Sequence, residues 1–241
     1  MSRTQRLVLV ASILGSFVAF LDMAVVNVAL AAIRAELGGG LAAQQWIVDA
    51  YLLSLGSLML IAGSVSDLFG RKRVFAGGLI SFAAASALCA AAPGVTTLIV
   101  ARALQGVAGA LLVPSSLALI IANFDGPAQG AAIGRWTAWT GISFIVGPLV
   151  GGALVDVGSW RWVFAINLLP IAATVLVLAR LPREPRAETR NRVDFAGAIL
   201  CALGLGGIIF ALIEQPAQGW RAPEIFLSLA GGIVAFAGFL A

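Results

Sequence analysis

Long apolar runs follow one another along almost the whole chain, and they decide its solvent before any other feature is considered. A helix that crosses a bilayer needs about 20 apolar residues rising about 1.5 Å each. That length marks spans at Leu7–Ile33, Ala42–Val65, Val74–Ala92, Thr97–Ile121, Ala131–Val155, Trp162–Ala179 and Phe195–Ile213, and an eighth run begins at Glu224 and is still apolar at Ala241. Of the 241 residues 61% are hydrophobic and 11% charged; a soluble domain carries about 25% charged residues and has no interior large enough for such a surplus. Within lipid every backbone amide must find its partner inside its own segment, so these runs are expected to be helices. The expected class is an all-α integral membrane protein. Arg3 and Arg6 ahead of the first run imitate a secretory leader, but the run is longer than the about 7–15 residues of a leader's apolar region and Asp22 interrupts it, so it reads as an uncleaved helix.

Several function classes fall away on residue types. The chain has no histidine, which triads, zinc sites and haem ligation nearly all use. Cys89 and Cys201 lie inside apolar runs and read as small hydrophobes. No nucleophile–base pair or metal-ligand set stands out, so the chain is expected to be no enzyme and to need no cofactor or metal. The net charge of +4 could suggest nucleic acid, but the basic residues fall between the apolar runs instead of forming one stripe, so no nucleic-acid partner is expected.

Those basic residues orient the helices. Arg3 and Arg6 precede the first span, Arg71, Lys72 and Arg73 lie between the second and third, and Arg180, Arg183, Arg186, Arg190 and Arg192 follow the sixth. All fall on one side if every run spans, leaving Arg34, Arg161 and Arg221 on the other, so the N-terminus is expected in the cytoplasm of a cell-membrane protein. The polar stretch that follows the sixth span, rich in arginine and carrying two prolines, reads as a cytoplasmic linker. The expected organisation is a six-helix bundle over 1–180, a linker over 181–194, and two further helices over 195–241, the last cut short as in a fragment.

Three charges lie where a membrane helix should carry none: Asp22 in the first span, Asp49 in the second and Arg102 in the fourth. Each costs about 2.5–3.5 kcal/mol at a helix centre on insertion scales. Counting residues from the outer ends puts Asp22 about 16 Å deep, Asp49 about 10 Å and Arg102 about 8 Å, all in one outer-to-middle layer. Arginine stays charged whatever surrounds it, so the member able to take up a proton is a carboxylate, and the three together read as a proton-coupling site built without histidine. Gln105, Gly106 and Gly109 follow Arg102 at helical spacing, a small and polar stripe that faces protein or a cavity.

Glycine and proline mark two more places. The fifth span carries Gly141, then Gly147-Pro148-Leu-Val-Gly151-Gly152, in which Gly147 and Gly151 suit close helix approach and Pro148 removes a backbone donor and bends the helix. Between spans two and three runs Gly63-Ser-Val-Ser-Asp67-Leu-Phe-Gly70-Arg71-Lys72-Arg73, where Gly70 suits a tight turn and the cations suit a cytoplasmic loop. Asp67 is not required by topology and invites a salt bridge to the cations beside it.

These residues carry a resemblance. The loop from Gly63 to Arg73 resembles the signature loop of the major facilitator superfamily, the string from Arg102 through Gly109 resembles its fourth-helix motif, and the Gly147-Pro148 string resembles its antiporter motif. Leu21-Asp22 through Asn27 to Leu30, Trp46-Ile-Val-Asp49-Ala-Tyr51 and Trp160 through Asn167 are similar to the fourteen-span drug:proton antiporters of that superfamily. Ala24 stands where those proteins commonly carry threonine, and the proline expected after Asn167 is displaced to Pro170.

The resemblance implies a core of two six-helix bundles with an inserted helix pair, of which this chain would hold the first bundle and the pair. It further implies proton-driven export of hydrophobic or cationic compounds. Asp22 would carry the proton or the cationic substrate, Asp49 would be a second site, and Arg102 would tune Asp22. Asp67 and Arg71 would gate the cytoplasmic face against the second bundle, and Gly147-Pro148 would shape the fifth helix and limit leak. Asn27, Trp46, Gln105 and Phe144 are expected to line the substrate cavity. A specific metabolite carrier of the same fold and a non-transporting fragment are the alternatives.

Overall fold

Each apolar run folds as a helix, since a helix closes its backbone hydrogen bonds within the segment and lipid offers no others. The computed structural model describes residues 1–182 and 195–240, so residues 183–194, which hold most of the expected linker over 181–194, lie outside the described residues. The elements are α1 (Arg3–Leu37), α2 (Leu41–Phe69), α3 (Arg71–Ala90), α4 (Val95–Asn123), α5 (Gly126–Val157), α6 (Trp162–Ala165), α7 (Leu168–Ala179), α8 (Phe195–Gln218) and α9 (Pro223–Leu240), with no strand among the described residues. Seven stretches are long and apolar enough to cross a membrane, and α2 adds an eighth when its segments Leu41–Met59 and Ile61–Phe69 count as one span bent by 57°.

Several helices run past their apolar cores because polar side chains finish them. α1 starts at a reciprocal cap in which the Gln5 backbone N–H donates to Ser2 Oγ (3.1 Å) and the Ser2 N–H donates to Gln5 Oε1 (2.9 Å). Gln5 Nε2 also donates to the Asn123 carbonyl (3.1 Å), fixing the start of α1 to the end of α4. Gly70 takes φ +93° between α2 and α3, a left-handed turn that glycine adopts without strain, in keeping with the turn read from the sequence.

The sixth span tightens for one turn in its middle. α6 holds four residues, and after Ile166 and Asn167 the chain resumes as α7. Pro170 has no N–H to return to the Ile166 carbonyl, which instead accepts from the Leu169 amide (3.3 Å), so a tighter turn replaces one α-helical step. The span expected over Trp162–Ala179 is present at those bounds, with one tighter turn at Ile166–Asn167 and Asn167 fully buried.

α1 packs against α4, α5 and α7, α2 against α4 and α8, and α3 against α4, while α8 and α9 form an antiparallel pair. The core has two apolar layers. One gathers Val18, Ala19, Tyr51, Phe75, Leu79, Phe82, Ala108 and Leu112. The other gathers Leu21, Val25, Ile47, Cys89, Leu98, Ala101, Trp160 and Phe164. Ala19 and Val25 on α1, like Ala108 and Ala101 on α4, belong to different layers, so Asp22 and Arg102 lie at the seam. On the rim beside the second layer, Glu36 accepts from Trp160 Nε1 (2.8 Å) and from the Arg161 guanidinium, whose other arm donates to the Ala92 carbonyl (3.1 Å). This clamp ties the ends of α1 and α3 to the loop before α6.

Candidate functional site

At the seam the interior holds a polar network without contact to solvent. Asp22, Ser86, Arg102, Gln105 and Asn167 are all buried, with Arg102 1% exposed and the others 0%. Asp22 Oδ2 pairs with Arg102. Asp22 Oδ1 accepts from Gln105 Nε2 (2.8 Å) and from Asn167 Nδ2 (2.7 Å). Arg102 donates as well to Gln105 Oε1 (2.7 Å) and through Nε to the Ile47 carbonyl (3.1 Å). Ser86 Oγ accepts from Gln105 (2.8 Å) and from Asn167 (3.3 Å), and Cys89 Sγ donates to Gln105 Oε1 (3.4 Å). A carboxylate and a guanidinium can share a dry interior when their remaining donors and acceptors are also met, and here nearly all are.

Aromatic rings complete the cage. The Arg102 guanidinium sits 4.2 Å from the Tyr51 ring centroid and 5.9 Å from that of Phe164. The Tyr51 hydroxyl donates to the Ala19 carbonyl (3.1 Å), holding the ring in place. One acceptor is left over: Asn167 Oδ1 is buried with no hydrogen-bond partner, a deficit that costs about 1–3 kcal/mol.

Helix spacing explains how the network assembles. Arg102 and Gln105 stand one turn apart on α4, and Gly106 beside them lets α2 come so near that a Cβ there would lie 2.3 Å from the Tyr51 carbonyl oxygen. On α5, a Cβ at Gly147 would lie 2.4 Å from that of Ala24, and one at Gly151 would lie 3.1 Å from the Val25 carbonyl oxygen. These two glycines bring α5 against α1 beside Asp22, while a Cβ at Gly141 or Gly152 would meet nothing within 4 Å. Pro148 is exposed, and α5 is one helix through it, without the tighter turn seen in the sixth span.

The three membrane charges do not form one cluster. Asp22 and Arg102 pair, but Asp49 is half-buried on α2, and among the described residues it makes no hydrogen bond or ion pair. Its position follows from the register of α2, where Ile47 and Tyr51 take the face toward Arg102 and Asp49 falls to the side. Of the residues expected around a cavity, Gln105 is a buried partner of Asp22 and not part of a wall. Trp46 donates through Nε1 to Glu214 Oε1 (2.9 Å) and lies 6.0 Å from the Phe210 ring, so it holds α8 against α2. Asn27 is exposed and donates to the Met23 carbonyl one turn back (2.9 Å). Phe144, 51% exposed, pairs with Phe20 at 5.9 Å across α1 and α5.

In the loop between α2 and α3, Arg71 Nη2 meets Asp67 Oδ1 at 3.2 Å, with both side chains about one-third exposed (33% and 36%). Lys72 Nζ donates to the Leu181 carbonyl (2.5 Å), joining the loop to the chain after α7, and Arg73 is exposed. Gly63 is half-buried, and a Cβ there would meet nothing within 4 Å. An ion pair so open to solvent adds little to folding. Asp67→Asn is expected to change stability by less than about 1 kcal/mol, read as the thermal unfolding of the purified protein in detergent.

Sequence reasoning missed Ser86, Glu36 and Glu214, and it quoted Asn167 only as part of a motif. Glu214 had a visible signal, a carboxylate near the end of an apolar run. Ser86 had none, being one serine among the small residues of α3.

A chain helical throughout its regular elements among the described residues, with a desolvated ion pair at the centre of the helix packing and a basic loop between its second and third spans, has the build of a polytopic membrane transporter. The family model described as Major Facilitator Superfamily matches residues 12–241, and the chain belongs to that superfamily, whose members are transporters and not enzymes. It is 39% identical over 236 residues to the methylenomycin A resistance protein of Bacillus subtilis (strain 168), covering 97% of this chain and 50% of that protein. It is 42% identical over 226 residues to a probable actinorhodin transporter of Streptomyces coelicolor (strain ATCC BAA-471 / A3(2) / M145), covering 92% of this chain and 39% of that protein. The chain thus spans about half the length, or less, of these curated relatives. Among solved structures, the peptide transporter POT in complex with sulfate superposes with a TM-score of 0.67 at 18% identity, over 95% of this chain and 49% of that one. At that identity the likeness is one of fold.

Proposed function

We propose that this chain is the N-terminal part of a proton-coupled exporter of hydrophobic or cationic drugs, with Asp22 as its proton site and Arg102 as the group that tunes it. The observation that carries the reading is the fully buried Asp22, held by Arg102, Gln105 and Asn167 at the centre of the bundle. Nothing in packing alone calls for a carboxylate there, and an intramembrane acid is by default a functional group. Resistance to methylenomycin A and transport of actinorhodin, named for the relatives, support drugs as the substrate class.

In this reading the ionised Asp22 keeps Arg102 neutralised. Proton uptake from outside cancels that negative charge, leaves Arg102 in excess and lowers the site's attraction for a cationic substrate, which departs outward; proton release to the cytoplasm restores the pair. Coupling needs such a difference between two states, since a site equally satisfied in both would move nothing. The relatives' greater length supports a second bundle against which this one would rock. The same reading places the N-terminus in the cytoplasm, a six-helix bundle over 1–180, a linker over 181–194 and an accessory helix pair over 195–241. Asp67 and Arg71 would engage the facing bundle, and the exposed Asn27 and Phe144 would lie on the substrate side.

The test is Asp22→Asn in a transporter that carries this chain. Drug efflux driven by a pH gradient is expected to fall at least about tenfold while membrane insertion, followed by the amount of folded protein, persists; a tenfold change corresponds to about 1.4 kcal/mol. Efflux that stays proton-coupled in this variant overturns the assignment of Asp22.

A further inference from the structure

Asn167 Oδ1 is a buried acceptor that the network around ionised Asp22 leaves without a partner. Asn167 Nδ2 points at Asp22 Oδ1 (2.7 Å), while its Oδ1 is buried without a partner. The acceptors on Gln105 and Ser86 are engaged: Gln105 Oε1 takes Arg102 and Cys89, and Ser86 Oγ takes Gln105 and Asn167. Once protonated, a carboxyl turns from pure acceptor into donor and needs an acceptor within reach. A half-turn of the Asn167 amide about its Cβ–Cγ bond exchanges Nδ2 for Oδ1 at nearly the same distance.

We propose that Asn167 is a positioning residue that serves both protonation states of Asp22, donating through Nδ2 when the acid is ionised and accepting through Oδ1 when it is protonated. This rests on the reading of Asp22 as the proton site and adds the partner that receives its hydrogen. Of the amino acids near this size, asparagine offers a donor and an acceptor on one rotatable group without a charge of its own. Asn167 stands at the tighter turn between α6 and α7, and a turn of its amide about Cβ–Cγ leaves the backbone where it is. The titratable or charged groups facing Asp22 are Arg102 from α4, Tyr51 from α2 and Cys89 from α3. From α5, Gly147 and Gly151 meet α1 at Ala24 and Val25 with no side chain. The Tyr51 hydroxyl and the Cys89 thiol are turned to the Ala19 carbonyl and to Gln105 Oε1, and neither hydrogen-bonds Asp22.

The experiment is infrared titration of the purified chain in lipid nanodiscs, with asparagine carrying ¹³C at its side-chain amide and Asp22→Asn as the reference that assigns the carboxyl band. The expected result is a protonated-carboxyl band, absent in Asp22→Asn, accompanied by a shift of the labelled amide band at the same midpoint. A titrating Asp22 band with an unmoved amide band overturns the two-state role of Asn167 and leaves the proton site standing. No titrating band from Asp22 at any pH at which the protein stays folded overturns both. Asn167→Leu supplies a second measure. If Asn167 only donated, its loss would raise the proton affinity of Asp22 about tenfold. In the two-state role each protonation state loses one bond, and the affinity is expected to move less than about threefold. A tenfold rise in Asn167→Leu refutes the acceptor half of the proposal.

Discussion

Arg102→Ala is expected to destabilise the protein by about 3–5 kcal/mol, the largest loss from any single truncation in the bundle, because it strands the buried Asp22 carboxylate without a counter-charge. The variant also leaves Gln105 Oε1 and the Ile47 carbonyl without the donors they now have, and it empties the space under the Tyr51 ring. Thermal unfolding in detergent, followed by aggregation onset and by helix signal, reads the loss. Arg102→Lys should fall between the two, since an ammonium keeps the charge but cannot serve Asp22, Gln105 and Ile47 together from one planar fork. The double variant Asp22→Asn, Arg102→Met separates charge from packing. With no charge left unpaired it is expected to recover about half or more of the loss seen in Arg102→Ala. An Arg102→Ala protein as stable as the wild type would mean that the seam is wet and that Asp22 is not held dry.

The helices and the charges were legible in the sequence for one physical reason: lipid punishes every polar group, so an apolar run of spanning length and a charge inside it are both unambiguous. The runs from Leu7, Ala42, Val74, Thr97 and Ala131 all fold as helices near their expected places. The tighter turn in the sixth span was not legible, although Pro170 was in view, because membrane helices often pass through a proline, as α5 does at Pro148 and α4 at Pro114. Pairing was legible only where two groups had opposite charges. Arg102 could be matched by sign to an aspartate, but depth counted along the helices put Asp49 nearer to it than Asp22, and only the structure selects Asp22. Asp49 has the same sign and a similar depth, and only the rotational register of α2, which the contacts of Ile47 and Tyr51 fix, puts it outside the network. Trp46 could not be assigned to α8 from its own segment, because its partner Glu214 lies 168 residues along the chain. Neutral partners such as Ser86 and Asn167 carry no such signal, since their worth comes entirely from who stands opposite.

Gly106→Ala tests whether that register is what holds the network together. An added Cβ would lie 2.3 Å from the Tyr51 carbonyl oxygen and 2.9 Å from Ser54 Cβ, and a backbone oxygen cannot step aside as a side-chain tip can. α2 must therefore move away from α4, and Ile47 and Tyr51 move with it. The Arg102 bond to the Ile47 carbonyl, 3.1 Å, and its stacking on Tyr51, 4.2 Å from the centroid, both lengthen. Overpacking of this kind costs about 1–3 kcal/mol in a core, and the loosened arginine contacts place Gly106→Ala at or above the upper end of that range. The matched change Gly141→Ala, with nothing within 4 Å of the new methyl, is expected to be neutral or to stabilise by up to about 1 kcal/mol through helix propensity. Gly147→Ala, 2.4 Å from the Ala24 Cβ, also forces a backbone shift because that Cβ is fixed to α1, but it parts α5 from α1 and leaves the α2 contacts of Arg102 in place, so it should fall between them. The order Gly106 worst, Gly147 next and Gly141 harmless, read as melting temperatures of the three purified variants, follows from what each methyl would strike. Equal losses at Gly106 and Gly141 would show that helix propensity, and not the approach of α2 to α4, governs these positions, and the placement of Arg102 would then need another cause.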